Sequence, residues 1–460
     1  MRTTWNSKVI GAVAAGFLLV PMLATASSVE DQLNKMQDRM GQLEDQLRAT
    51  NDELTVANDR ADEQAGVIER AGLADENSGV SSLSSFLSDT DFYGWVNASY
   101  TANTHSAHSG GIQGQNSGVP GVVSVPMPNY PDNQTFKVNQ VWFGMDNAAT
   151  ADSRGGFHVD LFYGADAGEA HLNGFGCGNA NVAGGGDTNA FCVFTAYASY
   201  LAPIGPNGVE IQAGKLPTML GAEVVQTPWN FNISRGLLWG LQPVANLGAV
   251  VSADLGHGFG IAAGVIDNPL GLQDPDNNIA KSFTGQVSWS NDMFGAAVSG
   301  NWGELGGDTT GSILDLVLSA DPTDSLSLWL NFDWVNRDGT NQNPLVNGNN
   351  RTDVNQFGVG IAGRYAITDM TGVAVRGEWV GNTVNGAHTP AGTMNQWSAT
   401  LTADHHLTDN LMVRGEFRYD GAQVNSASNN VFCGSGSGGC AFPASHDEQF
   451  TFIVDMTYEF

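Results

Sequence analysis

The chain closes on TFIVDMTYEF (451–460). Phe452, Val454, Met456, Tyr458 and Phe460 fall on one parity; Thr451, Asp455, Thr457 and Glu459 fall on the other, where Ile453 is the only apolar residue. Side chains of a strand point alternately to its two faces, so this spacing predicts a strand with one apolar and one polar face. Ends of soluble domains fray and are polar. An aromatic face held to the last residue asks for an apolar medium on one side of the sheet.

Working backwards to residue 91, the same alternation recurs in fifteen further segments. They are DFYGWVNASYT, FKVNQVWFGMD, GGFHVDLFYG, CVFTAYASYL, GVEIQAGK, LGAVVSADL, FGIAAGVI, SFTGQVSWS, MFGAAVSGNW, SILDLVLSA, LSLWLNFDWV, VNQFGVGIAGRY, TGVAVRGEWV, NQWSATLTADHH and LMVRGEFRYD. Sixteen strands is an even number, as single-chain bacterial outer-membrane barrels require. Connectors such as APIGPNG, DPTDS, AITDM and HLTDN are tight, whereas 103–135, 336–353 and 421–447 are long and irregular. Short turns on one side and long loops on the other predict an antiparallel transmembrane β-barrel over 91–460, with periplasmic turns and external loops. A soluble sandwich also alternates, but it leaves sheet edges and turns its polar face to solvent.

The bulk numbers agree. Asp, Glu, Lys and Arg make up only 14% of 460 residues, against about 25% in typical soluble chains. The 58 glycines suit many strands and turns. A net charge of −29 with 18 basic residues excludes nucleic acid as a partner, because neutralising phosphates takes clustered Lys and Arg. No run of 18 apolar residues follows the first 26, so a membrane crossing must use strands.

Residues 1–26 read as a cleaved secretory signal: Arg2 and Lys8, the apolar VIGAVAAGFLLV (9–20), then Ala24-Thr25-Ala26. In 27–75, Val29, Leu33, Met36, Met40, Leu43, Leu47, Thr50, Leu54, Ala57, Ala61, Gln64 and Ile68 step by 4 and 3. This is the seam of an α-helical coiled coil, so an oligomer is expected. Thr50, Ala57, Ala61 and Gln64 weaken that seam, so assembly leans on something else. Residues 76–90 read as a linker. Cys177 and Cys192 bracket one Gly-rich segment and Cys433 and Cys440 another. In an exported chain local pairing is the simplest of three connectivities, and a zinc site lacks its usual spacing.

The text then matches a family. SYLAPIGPNGVEIQAGKLPTMLGAEVVQTPWNFNISRGLLWG (199–240), LDLVLSADPTDSLSLWLNFDW (314–334), GRYAITDMTGVAVRGEW (363–379) and LTADHHLTDNLMVRGEFRYD (401–420) resemble the OmpL-like β-barrel porin family, porin-2 type. Its most specific parts here are G-K-x-x-T-x-L-G-x-E (Gly214 to Glu223) and NISRG (Asn232 to Gly236). The resemblance implies an outer-membrane barrel of porin type and carries over no catalytic residues. A coiled coil ahead of the barrel is similar to certain trimeric outer-membrane channels, which implies a homotrimer.

Charges on the inward parity are the candidate site. Arg364, Arg376, Arg414 and Arg418 share it with Glu378, Asp404 and Glu416. Such a wall either biases a pore toward anions or braces itself by ion pairs. The connector LPTMLGAEVVQTPWNFNISRGLLWGLQP (216–243) is too apolar for an external loop and is expected to fold into the barrel as a constriction. Glu223 and Arg235, with Lys215 at its root, are then expected to face the arginine wall across the pore. His105 and His108 have metal spacing without a third ligand, and QDPDNN (273–278) and GGGDTN (184–189) lack a full calcium set, so no metal or cofactor is expected. No Ser or Cys nucleophile motif is present, and no enzyme is expected.

The expected function is passive diffusion of small hydrophilic solutes through the outer membrane, with the coiled coil in the periplasm. Two alternatives stay open: a ligand-specific uptake channel, for an iron chelate or a dicarboxylate, and a structural tether or adhesin whose coiled coil contacts peptidoglycan.

Overall fold

The computed structural model describes residues 86–103, 135–168, 190–270, 281–306, 309–338, 352–386, 392–426 and 448–460. The expected signal, the coiled coil, most of the linker, Cys177, Cys433, Cys440, His105, His108 and both calcium candidates lie outside them.

Sixteen strands follow one another: β1 (Asp91–Asn103), β2 (Thr135–Asn147), β3 (Gly155–Gly164), β4 (Ala190–Ala202), β5 (Val209–Pro217), β6 (Ala245–Gly256), β7 (Phe259–Ile266), β8 (Ser282–Ser290), β9 (Phe294–Gly306), β10 (Thr309–Thr323), β11 (Leu326–Asp338), β12 (Thr352–Thr368), β13 (Thr371–Gly386), β14 (Gly392–Thr408), β15 (Leu411–Ser426) and β16 (Glu448–Glu459). Each pairs antiparallel with its neighbours in sequence, and β16 pairs with β1, so the sheet closes. Closure leaves no strand edge unpaired. All sixteen segments read from alternation are strands.

The two faces differ as the alternation predicts. On β16, Phe452, Val454, Met456 and Tyr458 are exposed on the outside, while Thr451, Ile453, Asp455 and Thr457 are buried inside. On β15, Met412, Arg414, Glu416, Arg418 and Asp420 all face inward and are buried. A greasy exterior around an interior of Asn, Thr, Asp, Glu and Arg inverts a soluble domain, and it suits lipid outside with a polar lumen inside.

At one rim the connectors are minimal. Residues 324–325, 369–370 and 409–410 join β10 to β11, β12 to β13 and β14 to β15, each behind a threonine (Thr323, Thr368, Thr408) where the register shifts. The β6–β7 turn needs Gly258, whose φ is +82° and whose place leaves no room for a Cβ, which would lie 1.9 Å from the Ser290 carbonyl oxygen. At the other rim the expected layout is corrected in two places. Only 307–308 separate β9 from β10, and only 387–391 separate β13 from β14. There the strands run on past their alternating text, and Gly and Thr extend the ladder where the sequence reads as loop.

Candidate functional site

Between β5 and β6, residues 218–244 turn into the barrel. Gly221 makes the entry bend, with φ +87°, and a Cβ there would meet Gln242 Oε1 at 2.0 Å. The segment is then tied to itself by two side chains. Asn230 donates to the carbonyl oxygens of Val224 (2.9 Å) and Gln226 (2.7 Å) and accepts from Val224 N (2.9 Å). Arg235, fully buried, donates to the carbonyl oxygens of Val224 (2.6 Å), Ile233 (2.8 Å) and Val225 (2.6 Å). Saturating a guanidinium's fork with backbone oxygens satisfies several otherwise orphaned acceptors of a non-helical chain at once.

The NISRG run docks this segment onto the inner wall, residue by residue. Asn232 Nδ2 donates to Thr402 Oγ1 (2.7 Å) on β14. The backbone amides of Ile233 and Ser234 donate to the Glu416 carboxylate (2.6 and 3.1 Å) on β15, and Ile233 packs on Ile453 of β16. Arg376 of β13 donates to Ser234 O (2.6 Å) and Ser234 Oγ (3.1 Å). Arg418 of β15 donates to Arg235 O and Ser234 Oγ. Gly236 passes so close to Glu378 that a Cβ would lie 2.0 Å from its Oε1, and its amide donates to Glu223. Arg414 reaches the carbonyls of Thr227 and Asn230 (both 3.3 Å).

Hydrophobic contacts and amides carry the segment round to other strands. Leu220, Leu237, Leu238 and Leu241 cluster with Ile313, Val335 and Val380 of β10, β11 and β13. The carbonyl of Met219 accepts from Gln286 of β8 and Ser299 of β9, both at 2.9 Å. Gln242 donates to Asn331 (3.0 Å) and Asp333 (2.7 Å) of β11. On the far side Gln140 of β2 donates to Val225 O (2.8 Å) and accepts from Thr227 N (3.2 Å) and Trp95 Nε1 (2.9 Å). Val225 and Trp239 join the cluster of Trp95, Trp142, Phe162 and Phe194 on β1 to β4. In strand order β2 and β10 stand eight places apart round a barrel of sixteen, so a segment fastened to both, through Gln140 and Ile313, crosses the lumen.

This geometry corrects one expectation about the charged residues. Glu223 and Arg235 do not face the arginine wall across a gap. Glu223 forms an ion pair with Arg376 directly, and Arg235 is folded back on its own segment. Lys215, buried at the root, donates to Val193 O. Arg376, Arg414 and Arg418 have side chains 0–1% exposed. Arg376 lies 3.2 Å from Glu378 through Nε, an ion-pair contact without hydrogen-bond alignment. Arg414 is clasped by Asp455 and Arg418 by Asp420. Arg364, near the short-connector rim, pairs with Asp404 through Nε (2.9 Å) and Nη2 (2.6 Å) and remains 30% exposed. Burial pushes the Glu223 carboxyl up, against the pull of Arg376. Cys192 on β4 is buried and is not a free thiol.

Some anchors have no sequence signal. Asn139 and Gln140 are consecutive yet both buried inward, because the β1–β2 register shifts at Asn97/Ala98. Strict parity sends one of them to the lipid face. Asp166, in the 3-10 turn Ala165–Gly168 after β3, is another: it accepts from Gln140 (2.9 Å), and burial pushes its carboxyl up to about 6. Among the described residues no group of three His, Cys, Asp or Glu side chains is placed to hold a metal ion.

Solved structures share the architecture at low identity. The in-vitro folded OmpT of Vibrio cholerae, an outer membrane protein in trimer form, is 12% identical with a TM-score of 0.50, covering 81% of this chain and 99% of that one. The outer membrane channel DcaP of Acinetobacter baumannii is 11% identical with a TM-score of 0.48, covering 81% and 97%. An anion-selective porin from Comamonas acidovorans is 12% identical with a TM-score of 0.44, covering 81% and 99%. No curated protein matches the sequence. Residues 89–460, the whole barrel with its crossing segment, match the profile of the family described as "Putative beta-barrel porin-2, OmpL-like", and the chain belongs to that family of β-barrel porins.

Proposed function

We propose that the chain is an outer-membrane porin through which small hydrophilic solutes diffuse passively, narrowed at 218–244. The observation that carries this reading is the inward segment itself: a closed barrel with a polar inner wall holds a hydrogen-bonded strap across its lumen. The short connectors then lie in the periplasm with the coiled coil, and the barrels associate as a homotrimer, which the trimeric OmpT relative in fold supports.

Arg376, Arg414 and Arg418 brace the strap. With their side chains enclosed they offer a passing anion no open counter-charge, while residues 91–460 carry 33 acidic against 11 basic side chains. Planar-bilayer recording of the purified full chain tests both points. Steady conductance in steps of three is expected, and reversal potentials in a salt gradient are expected to show no anion preference. Absence of conductance would sink the porin reading and leave the tether.

A further inference from the structure

Among the aromatic residues inside the barrel, Trp229 stands apart. Trp95, Trp142, Phe162 and Trp239 are at most 2% exposed, in one cluster with the stacked pairs Trp95–Trp142 (centroids 4.7 Å apart) and Trp142–Phe162 (4.8 Å). Trp229 touches the edge of that cluster, 5.6 Å from the Trp95 ring and 6.1 Å from the Tyr93 ring, yet stays 47% exposed. It sits on the crossing segment, so the open face is in the lumen and not toward lipid.

The exposure is built in. Trp229 ends the 3-10 turn Thr227–Trp229 with Pro228 inside it, and its amide donates to Gln226 O (3.2 Å). Asn230 beside it makes three hydrogen bonds to the segment's backbone, and Arg414 grips the carbonyls on both flanks, Thr227 and Asn230. A backbone fastened on either side presents the ring at one place and one angle.

The chemistry around the ring selects its guest. Tyr93, the neighbouring ring, donates its hydroxyl to Asp160 (2.7 Å). Asp160 also accepts from Trp142 Nε1 (2.9 Å) and Thr195 Oγ1 (3.1 Å) and contacts His158 Nε2 (2.9 Å). His158 meets Asp146 through its other nitrogen (3.0 Å). Arg414 is paired with Asp455. Each of these groups already has a partner within the protein, so recognition at Trp229 falls to the aromatic face itself. A flat, apolar face in water takes a molecule with one apolar face and a polar rim.

We propose that Trp229, with Tyr93 beside it, is a stacking subsite for a neutral saccharide in pyranose form on its way through the lumen. Its axial C–H face covers the indole and its hydroxyls stay in water. This rests on the reading of the lumen as a solute path.

Maltotriose binding to the full chain in detergent, followed by calorimetry and tryptophan fluorescence, tests it, with conductance recorded in parallel. Saturable binding is expected, about tenfold or more weaker in Trp229→Ala and Trp229→Gln and largely retained in Trp229→Phe, since stacking needs only an aromatic face. Spermine and citrate, as cationic and anionic probes, are expected to bind more weakly than maltotriose. No maltotriose binding by the wild type, equal binding by both the Ala and Gln variants, or tighter binding of either charged probe overturns the subsite. Binding is read without current. A chain that conducts but binds no maltotriose sinks the subsite alone, and one that binds without conducting sinks the porin reading alone.

Discussion

Asp166 is the clearest case of a residue whose chemistry is set by where the chain puts it. One carboxylate oxygen accepts from Gln140, and the other has no hydrogen-bond partner among the described residues. Burial holds its pKa at about 6 instead of the ordinary 3.8, even though Arg235 and Gln140 pull it down. The folded chain therefore keeps a proton that the unfolded chain releases between those two values. Stability accordingly falls as pH rises through that window, and above it a penalty of about 3 kcal/mol persists. Asp166→Asn removes the titrating group while keeping an acceptor for Gln140. Urea unfolding in detergent, scanned from pH 4 to 7, is expected to show a shallower downward slope in the variant, with Glu223 still contributing to it, and a more stable protein above pH 6. An unchanged slope would mean the pH dependence comes from elsewhere.

The crossing segment is held as an element, by a network in which no single contact suffices. Arg376 answers both Glu223 and Glu378, and Gly236 threads between the two carboxylates. Replacing one member of a buried ionic cluster strands the others, which costs about 3–5 kcal/mol, whereas removing the whole cluster costs less. Arg376→Ala is thus expected to lower unfolding free energy by about that amount and to make the conductance noisier. The triple replacement with Glu223→Ala and Glu378→Ala is expected to recover part of the loss. Equal losses in the single and triple variants would refute the clamp. Half of this element was legible in the sequence. The apolar text of 216–243, in a place due for an external loop, marked burial, and the inward parity of Arg376, Arg414 and Arg418 marked the wall. Which groups meet was not legible, because partners such as Ser234 and Arg376 lie far apart in sequence and are joined only by the path of the inward turn. The register shift at Asn97/Ala98 that brings Gln140 inside leaves no trace in composition or spacing.

At the scale of the molecule, the strand count was legible because the medium enforces it: each strand has lipid on one side and a polar interior on the other, so alternation cannot lapse. Connector lengths were less so, since Gly and Thr continue a ladder as readily as they end one, as Gly306 of β9 and Thr309 of β10 do by pairing with each other. At the seam between β1 and β16, Phe460 extends the pairing by one step beyond Trp95–Glu459. Phe460 N donates to Gly94 O (2.9 Å) and Gly94 N to Phe460 O (3.1 Å). The Phe460 ring lies where a Cβ on Gly94 would sit, 2.6 Å from that position, so an aromatic covers the bare backbone of a strand glycine. Deleting Phe460 removes two hydrogen bonds worth about 1 kcal/mol each and exposes Gly94 at the joint that closes the barrel. Assembly into the folded, heat-modifiable form is expected to slow and to fall in yield, while barrels that do close conduct as the wild type does. Phe460→Leu keeps the backbone pair and is expected to fall between the two, and Gly94→Ala is expected to assemble poorly too, because its Cβ would strike the Trp142 carbonyl oxygen on β2 as well as the ring. If the deletion assembles at the wild-type rate, closure does not depend on this pair and the seam is held by the nine facing pairs from Trp95–Glu459 to Asn103–Thr451.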